Sequence, residues 1–463
     1  MTAAPPSLEI FGRYDIRGIA GVTLTVPHMS TLGRAFAGAL RDEGQCAAVV
    51  ARDARISSPE LAGALIEALL DSGIHVVDLG SVPTPLAYFA SAHLSIPNAA
   101  VITASHNPTE YNGLKLTLKG RPLHGEGLRN LYHRIARTAF NHGSGQLSYA
   151  DVLTPYLRRV SRDINPGRTL HVAVDCGSGV AGVVAPALLR TLDCEVTELF
   201  CTPDGNFPAH HPDPAQPSNL HSLQQAVTAG GLDLGVAFDG DGDRIGVVDS
   251  AGKIIWPDRL MMLFSREILA RRPGSQVIFD VKSSNLLGRD IAAAGGVPVM
   301  YQSGYTLLRE KLMSEPSAVL AGELSGHLFF KDRWYGFDDA AYSAARLIEL
   351  LRADHRCSAE VFADLPEALS TPELRLPFAN RASAHDFMRR LMLRRADFRN
   401  GQINSIDGLR IDYPDGWGLV RASNTTANLT LRFEAESSAA LTRIKSVFRR
   451  QLLTLNPTLE LPF

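Results

Sequence analysis

A chain of 463 residues is longer than one hydrophobic core usually serves, so about three or four domains are expected. Hydrophobic residues make up 45% and charged residues 20%, with a net charge of -2. That balance is ordinary for a soluble protein and gives no support to nucleic acid or an anionic membrane surface as a partner. The cysteines (Cys46, Cys176, Cys194, Cys201 and Cys357) are scattered without metal-type spacing and read as reduced thiols of a cytoplasmic protein. The opening MTAAPPSLEIFGRYDIRG has no basic region followed by an apolar stretch, so no signal peptide is expected. No apolar run approaches the roughly 18 residues that span a bilayer.

Taken in order, residues 30–43 carry Leu32, Phe36 and Leu40 at helical spacing, with Gly44 as the stop. Residues 47–51 read as a strand. Ser58-Pro59-Glu60 is a helix start, and Gly73 ends that helix. A strand at 74–79, a helix at 85–93 and a strand at 99–103 follow, and the chain enters the loop Ala104-Ser105-His106-Asn107-Pro108. The order repeats with strands at 170–175, 195–200 and 233–238, helices at 180–192 and 220–229, and the loop DGDGDR. It repeats again with strands at 276–280, 297–301 and 318–322 and the loop Glu323-Leu324-Ser325-Gly326-His327. Alternation of this kind predicts an α/β fold: three similar domains with parallel or mixed sheets covered by helices, and ligand loops beyond the strand ends. After about residue 365 the texture changes. Short strands at 375–378, 403–413 and 428–434 and a closing helix at 438–453 predict a smaller α+β domain. The expected divisions are 1–147, 148–253, 254–366 and 367–463, with linkers at 143–149, 250–256 and 357–370.

Asp239, Asp241 and Asp243 alternate with glycines between two apolar runs, 234–238 and 245–248, and the stretch reads as strand, tight loop, strand. Such a loop offers hard oxygen ligands to a small divalent cation. A calcium EF-hand is excluded, because Arg244 and Ser250 stand where its sixth glycine and twelfth glutamate belong. Arg244 beside the triad points to an anionic ligand such as phosphate. Ser105 can be a nucleophile or phosphate carrier, with Lys115 and Lys119 near it, although the same residues make an ordinary serine turn. Glu323, Ser325 and His327 offer an acid, a hydroxyl and an imidazole within five residues, which suits sugar hydroxyls, phosphate or proton movement, and equally a helix cap with a satisfied histidine. Arg421, Ser423, Asn424, Thr425 and Thr426 form a donor set fit for a phosphate dianion, against the plainer reading of a polar hairpin loop. The stretch from Gly177 to Gly182 matches G-x-G-x-x-G, with Glu195 and Glu198 downstream, so a dinucleotide-dependent oxidoreductase is a second reading.

The motifs YDIRG, TASHNP, YNGLK, DGDGDR, GELSGH, FFKDRWYGFDD and GWGLVRASNTT, in this order from Tyr14 to Thr426, resemble the α-D-phosphohexomutase family, in its bacterial phosphomannomutase/phosphoglucomutase branch. The resemblance implies four domains around a cleft and reversible transfer of phosphate between the 1- and 6-positions of mannose and glucose phosphates. It implies Ser105 as the phosphoserine, Asp239, Asp241 and Asp243 with the Ser105 phosphate as ligands of one Mg2+, and glucose 1,6-bisphosphate as intermediate and activator. Arg244 matches a substrate-contacting residue beside the metal loop. Glu323 and Ser325 match the sugar-hydroxyl binders, and Arg421, Ser423, Asn424 and Thr425 the phosphate-holding loop. Arg17, His106, Lys115 and His327 match active-site positions, Lys115 and His327 being candidates for proton transfer or charge balance. Lys282 is a further basic candidate. The family usually has histidine where Tyr305 stands, and methionine is common where Leu324 stands. Small sugar phosphates are the implied partners and a monomer the implied state. A phosphoglucosamine mutase is the alternative within the family, and a non-catalytic sugar-phosphate binder is a further one.

Overall fold

The computed structural model describes residues 5–138, 140–423 and 426–463. Four β-sheets organise the chain, and the first three share a plan. In the first, Ala47–Arg52 pairs in parallel with His75–Ser81 on one side and Ala99–Ile102 on the other. In the second, His171–Asp175 lies in parallel between Glu195–Leu199 and Leu234–Phe238. In the third, Gln276–Asp280 lies in parallel between Val297–Tyr301 and Ala318–Gly322.

The sheets are mixed, and the reason bears on the site. Each third strand turns back at its carboxyl end into an antiparallel partner. Ala99–Ile102 returns as Tyr111–Leu118, Leu234–Phe238 as Ile245–Asp249, and Ala318–Gly322 as Leu328–Phe330. The loops bearing Ser105, the aspartate triad and Glu323 are therefore the tips of three equivalent hairpins. Parallel neighbours need a long crossover, whereas an antiparallel return needs only a short loop, so each tip is held by two strands.

One buried apolar cluster runs from Val49 and Phe89 through Val172 and Val236 to Phe279 and Phe330, so the first three sheets share packing. The fourth domain has its own core around Leu391, Ile411, Leu431 and Phe448. It docks on the third domain through buried Trp417, which clusters with Val281 and Leu419. The Arg410 guanidinium lies 3.8 Å from the Trp417 ring centre and donates to the Val281 carbonyl at 2.5 Å.

Several element boundaries differ from expectation. The first long helix runs Val26–Asp42, capped by Thr25 with proline in its first turn, so it starts before residue 30. The expected helix over 180–192 is a 3-10 turn, Val180–Val183, followed by the short helix Ala185–Thr191. The expected strand over 403–413 is two strands, Gln402–Asn404 and Leu409–Tyr413, broken by a turn that contains Gly408 at φ +85°. Strands Ile16–Ile19, Tyr111–Leu118 and Gly416–Ala422 were not expected. The proposed linkers carry structure: Leu147–Tyr149 pairs in parallel with His75–Ser81, Ile254–Ile255 adds a strand to the second sheet, and Ser358–Ala363 is helical. Among the described residues, no helix is long and apolar enough to cross a membrane.

Candidate active site

Ser105 adopts φ +51°, a left-handed conformation that is costly for a non-glycine residue. The surrounding contacts hold it there. Arg55, fully buried, donates to the carbonyls of Ser105 at 2.8 Å, Asn107 at 2.6 Å, Pro108 at 2.6 Å and Tyr111 at 2.9 Å. Arg17 donates to the Ala104 carbonyl at 3.2 Å and to the Asn107 side chain, and its guanidinium is paired with Asp15. The serine hydroxyl donates to Asp239 Oδ2 at 2.7 Å. His106 Nδ1 lies 3.1 Å from the same hydroxyl oxygen. The single hydroxyl proton is committed to Asp239, so Nδ1 must present its own N–H to Ser105. Burial, then the Arg244 and Arg17 charges, holds His106 well below its ordinary pKa, in its neutral form.

Asp239, Asp241 and Asp243 are fully buried, and their carboxylate oxygens come within 4.8 Å of one another. Lys115, on the strand returning from the serine loop, reaches Asp241 at 2.6 Å and Asp243 at 2.5 Å. Thr84 donates its N–H to the Asp241 backbone carbonyl at 2.9 Å and its hydroxyl to the Asp241 carboxylate at 2.6 Å. Burial alone would raise Asp241; the Lys115 ammonium outweighs it and holds that carboxyl below the usual range. Burial and the Asp241 charge push Asp243 upward. Burial opposes the charge on Lys115, but Asp241 and Asp243 hold its pKa well above the ordinary value.

Asp241 Oδ1 and Asp243 Oδ1 have no hydrogen-bond partner although both are buried. Burying two carboxylate oxygens without a hydrogen bond is expensive, and a small hard cation satisfies both. The residues present therefore fit a divalent metal.

The third hairpin closes on the second. The Ile245 N–H donates to the Gly326 carbonyl at 3.2 Å, and His327 Nδ1 stands 2.9 Å from Asp338 and 3.6 Å from Asp243. Burial would lower His327, but these two carboxylates raise it. Glu323 accepts from the Gly304 N–H and from the Ser325 hydroxyl, the latter at 2.7 Å. Tyr305 stacks on His327 at 5.4 Å between ring centres, and Lys115 Nζ lies 5.1 Å from its ring centre. The Tyr305 hydroxyl donates to the Tyr14 carbonyl at 3.3 Å. Tyr14 donates to the Ser303 carbonyl at 2.7 Å, the Ser303 N–H to Asp407 at 3.1 Å, and Arg421 pairs with the same Asp407 oxygen at 3.1 Å. A chain of contacts thus runs from Ser105 to the fourth domain.

The three hairpin tips meet, and Arg421 of the fourth domain reaches them through Asp407 and Ser303. Lys282 pairs with Glu373 at 3.2 Å and Asp280 at 3.6 Å, and these carboxylates outweigh burial and raise its pKa. Ser423 accepts from Thr426, while Asn424 and Thr425 lie outside the described residues. Sequence reasoning missed Arg55, Thr84, Asp213 and Asp338. Asp213 is buried and bonds Arg244 Nη1 at 3.1 Å. The G-x-G-x-x-G stretch is explained by packing. A Cβ at Gly179 would lie 2.9 Å from the Gly240 carbonyl oxygen, and one at Gly182 would lie 1.8 Å from that of Cys201. Those glycines let the turn touch the aspartate loop and the segment that follows strand Glu195–Leu199, and the space is filled by protein.

A four-domain α/β protein whose strand-tip loops set a serine hydroxyl against a buried acidic triad, a lysine and an arginine has the make-up of an intramolecular phosphotransferase. Models of phosphoglucomutase/phosphomannomutase match the chain in succession: alpha/beta/alpha domain I over residues 8–142, domain II over 148–252, domain III over 256–369 and the C-terminal domain over 373–451. The chain belongs to that family. It is 47% identical over 464 residues to a phosphomannomutase/phosphoglucomutase of Pseudomonas aeruginosa, covering 100% of both chains. It is 43% identical to a phosphoglucomutase of Neisseria gonorrhoeae, covering 98% of both. A crystal structure of a phosphoglucomutase/phosphomannomutase family protein from Burkholderia thailandensis superposes with a TM-score of 0.92 at 47% identity, over 99% of this chain and 100% of that one.

Proposed function

We propose that this phosphohexomutase interconverts the 1- and 6-phosphates of glucose and mannose through a phosphorylated Ser105 and a hexose 1,6-bisphosphate. The observation that carries the reading is the 2.7 Å contact between Ser105 Oγ and Asp239, beside two buried carboxylate oxygens that lack a hydrogen-bond partner. Asp239, Asp241 and Asp243 would hold one Mg2+ together with the phosphate on Ser105. Bound there, the cation offsets the negative charge of a phosphoryl group in transfer.

The chain's own groups account for the rest. The free sugar hydroxyl attacks the phosphorus on Ser105, the new oxygen–phosphorus bond forms and the bond to Ser105 breaks. One proton leaves the attacking hydroxyl and one returns to Ser105, exchanges we assign to His327 and Lys115. Neutral His106 supplies an N–H to the Ser105 oxygen, and Arg244 holds the moving phosphoryl oxygens. Glu323 and Ser325 orient the sugar hydroxyls. Arg421 and the loop from Ser423 through Asn424 and Thr425 grip the phosphate that does not react, with Arg17 at the serine loop and Lys282 lining the third domain. The bisphosphate then turns over, and its other phosphate passes back to Ser105. Free glucose 1,6-bisphosphate serves as activator by rephosphorylating Ser105. We assign the four domains to 1–147, 148–253, 254–366 and 367–463, and the working state to a cytoplasmic monomer acting on small sugar phosphates.

A coupled mutase assay with Mg2+ and a trace of glucose 1,6-bisphosphate, run in parallel on glucose 1-phosphate, mannose 1-phosphate and glucosamine 1-phosphate, tests this. Comparable turnover of the first two is expected. Dominant turnover of the third would replace the proposed specificity with that of an amino-sugar mutase.

A further inference from the structure

Arg244 is held on two sides and left open on a third. Its Nε donates to Asp239 Oδ2 at 3.0 Å and its Nη1 to Asp213 Oδ1 at 3.1 Å. Its Nη2 has no hydrogen-bond partner, although the residue is only 3% exposed. A buried guanidinium N–H without an acceptor is costly unless a ligand supplies one.

The two carboxylates holding Arg244 are not equivalent. Asp239 is committed elsewhere: Oδ2 also accepts from Ser105, and Oδ1 accepts from the N–H groups of Asp243 at 3.0 Å and Arg244 at 3.1 Å. Asp213 lies outside that loop, in the segment before the 3-10 turn Pro217–Leu220. Its carbonyl accepts from Asn219 Nδ2 at 3.0 Å and from the Gln216 N–H at 3.2 Å. Pro212 and Pro214 flank it, and Pro214 packs so closely on Gly246 that a Cβ there would lie 2.8 Å away. A rigid backbone thus presents the Asp213 carboxylate to Arg244.

We propose that Asp213 is the positioning residue for Arg244 in phosphoryl transfer, keeping the guanidinium turned so that its unpartnered Nη2 meets the transferring phosphate. The inference rests on the function proposed above. Without the Asp213 charge, Asp239 alone still holds the guanidinium, and Arg244 turns towards the triad instead of the substrate. Ground-state sugar binding depends on other loops, so the loss falls on kcat more than on KM.

The test compares Asp213→Asn, Asp213→Glu and Arg244→Lys, and Asp213→Asn within Arg244→Lys, by steady-state kinetics and thermal melting. Asp213→Asn is expected to lower kcat by about 10–100-fold with KM within about 3-fold, and Asp213→Glu to recover part of the loss. In the Arg244→Lys background, Asp213→Asn is expected to add no more than about a 2-fold loss, since the two act as a unit. Loss carried in full into that background, or wild-type kcat in Asp213→Asn, would overturn the proposal. Should Asp213→Asn fail to fold, Asp213→Glu in both backgrounds gives the same comparison. A wild type inactive on every hexose phosphate would remove the proposed function and this inference together; an active wild type with an unaffected Asp213→Asn removes this inference alone.

Discussion

The Ser105 hydroxyl and the Asp239 carboxylate meet at 2.7 Å across the junction of the first two domains. A Cβ at Gly240 would lie 2.4 Å from the Ser105 carbonyl, so the serine and aspartate loops are in direct backbone contact. Asp239→Asn keeps the shape and the acceptor oxygen but loses the charge. We expect kcat to fall by about 10²–10³-fold and Mg2+ affinity, read by calorimetry, to weaken. Retention of both within a few-fold would contradict the role given to this contact.

Lys115 sits among buried carboxylates and ties Asp241 to Asp243. Replacing it with methionine leaves those charges facing each other without a cation. The cost is about 3–5 kcal/mol of stability, as for a buried pair stripped of one partner. Melting curves with and without Mg2+ check this: added Mg2+ should raise the melting temperature of Lys115→Met more than that of the wild type. Equal shifts would argue that the cation does not bind among these carboxylates.

Tyr305 separates hydroxyl from ring. Its hydroxyl goes to the Tyr14 carbonyl at 3.3 Å, while its ring covers Lys115 and stacks on His327. Tyr305→Phe should cost no more than about 1 kcal/mol and leave kcat nearly unchanged. Tyr305→Ala should lower kcat markedly, because the ring that covers both cationic groups is gone. A strong effect of Tyr305→Phe on KM would show that the hydroxyl reaches substrate after all.

His106 predicts acid lability. Its folded pKa is depressed below the ordinary 6.5, with burial the largest cause. Above pH 6.5 the imidazole is neutral in both folded and unfolded chains and costs nothing. As pH falls below 6.5 the unfolded chain takes up a proton that the folded chain refuses, so stability drops by up to about 1.4 kcal/mol per pH unit. Denaturant midpoints between pH 7 and 5 should therefore fall less steeply in His106→Gln than in the wild type.

The aspartate loop was legible on its own, because a plain turn does not need three carboxylates; the Ser105 and Glu323 loops read equally as a turn and a cap, and the repeated architecture singled them out. Ser105, the three aspartates, Glu323 and His327 fall where that argument put them, at hairpin tips. Of the antiparallel return strands only Ile245–Asp249 was legible, from the apolar run that follows the aspartate loop; the other two were not. Tyr111–Leu118 carries Asn112, Lys115 and Thr117 buried among apolar residues, so polarity hid a central strand. Arg55, Thr84, Asp213 and Asp338 escaped for another reason. Arg55, Thr84 and Asp213 act on the site from distant points in the chain, and Asp338 reaches His327 across the turn that follows Leu328–Phe330; only the folded packing brings them there. The prolines on either side of Asp213 and the Ser57-Ser58-Pro59 start after Arg55 mark turns, but a turn does not say what its side chains hold.

The central claim is that phosphate resides on Ser105 and passes to the sugar. The direct measurement is peptide mapping of the protein after brief exposure to phosphate-labelled glucose 1,6-bisphosphate, followed by a chase with unlabelled glucose 1-phosphate. The account predicts label on the peptide containing Ser105, its loss into hexose phosphate during the chase, and neither event in Ser105→Ala. Label on another residue, or turnover of glucose 1-phosphate by Ser105→Ala at the wild-type rate, would contradict it.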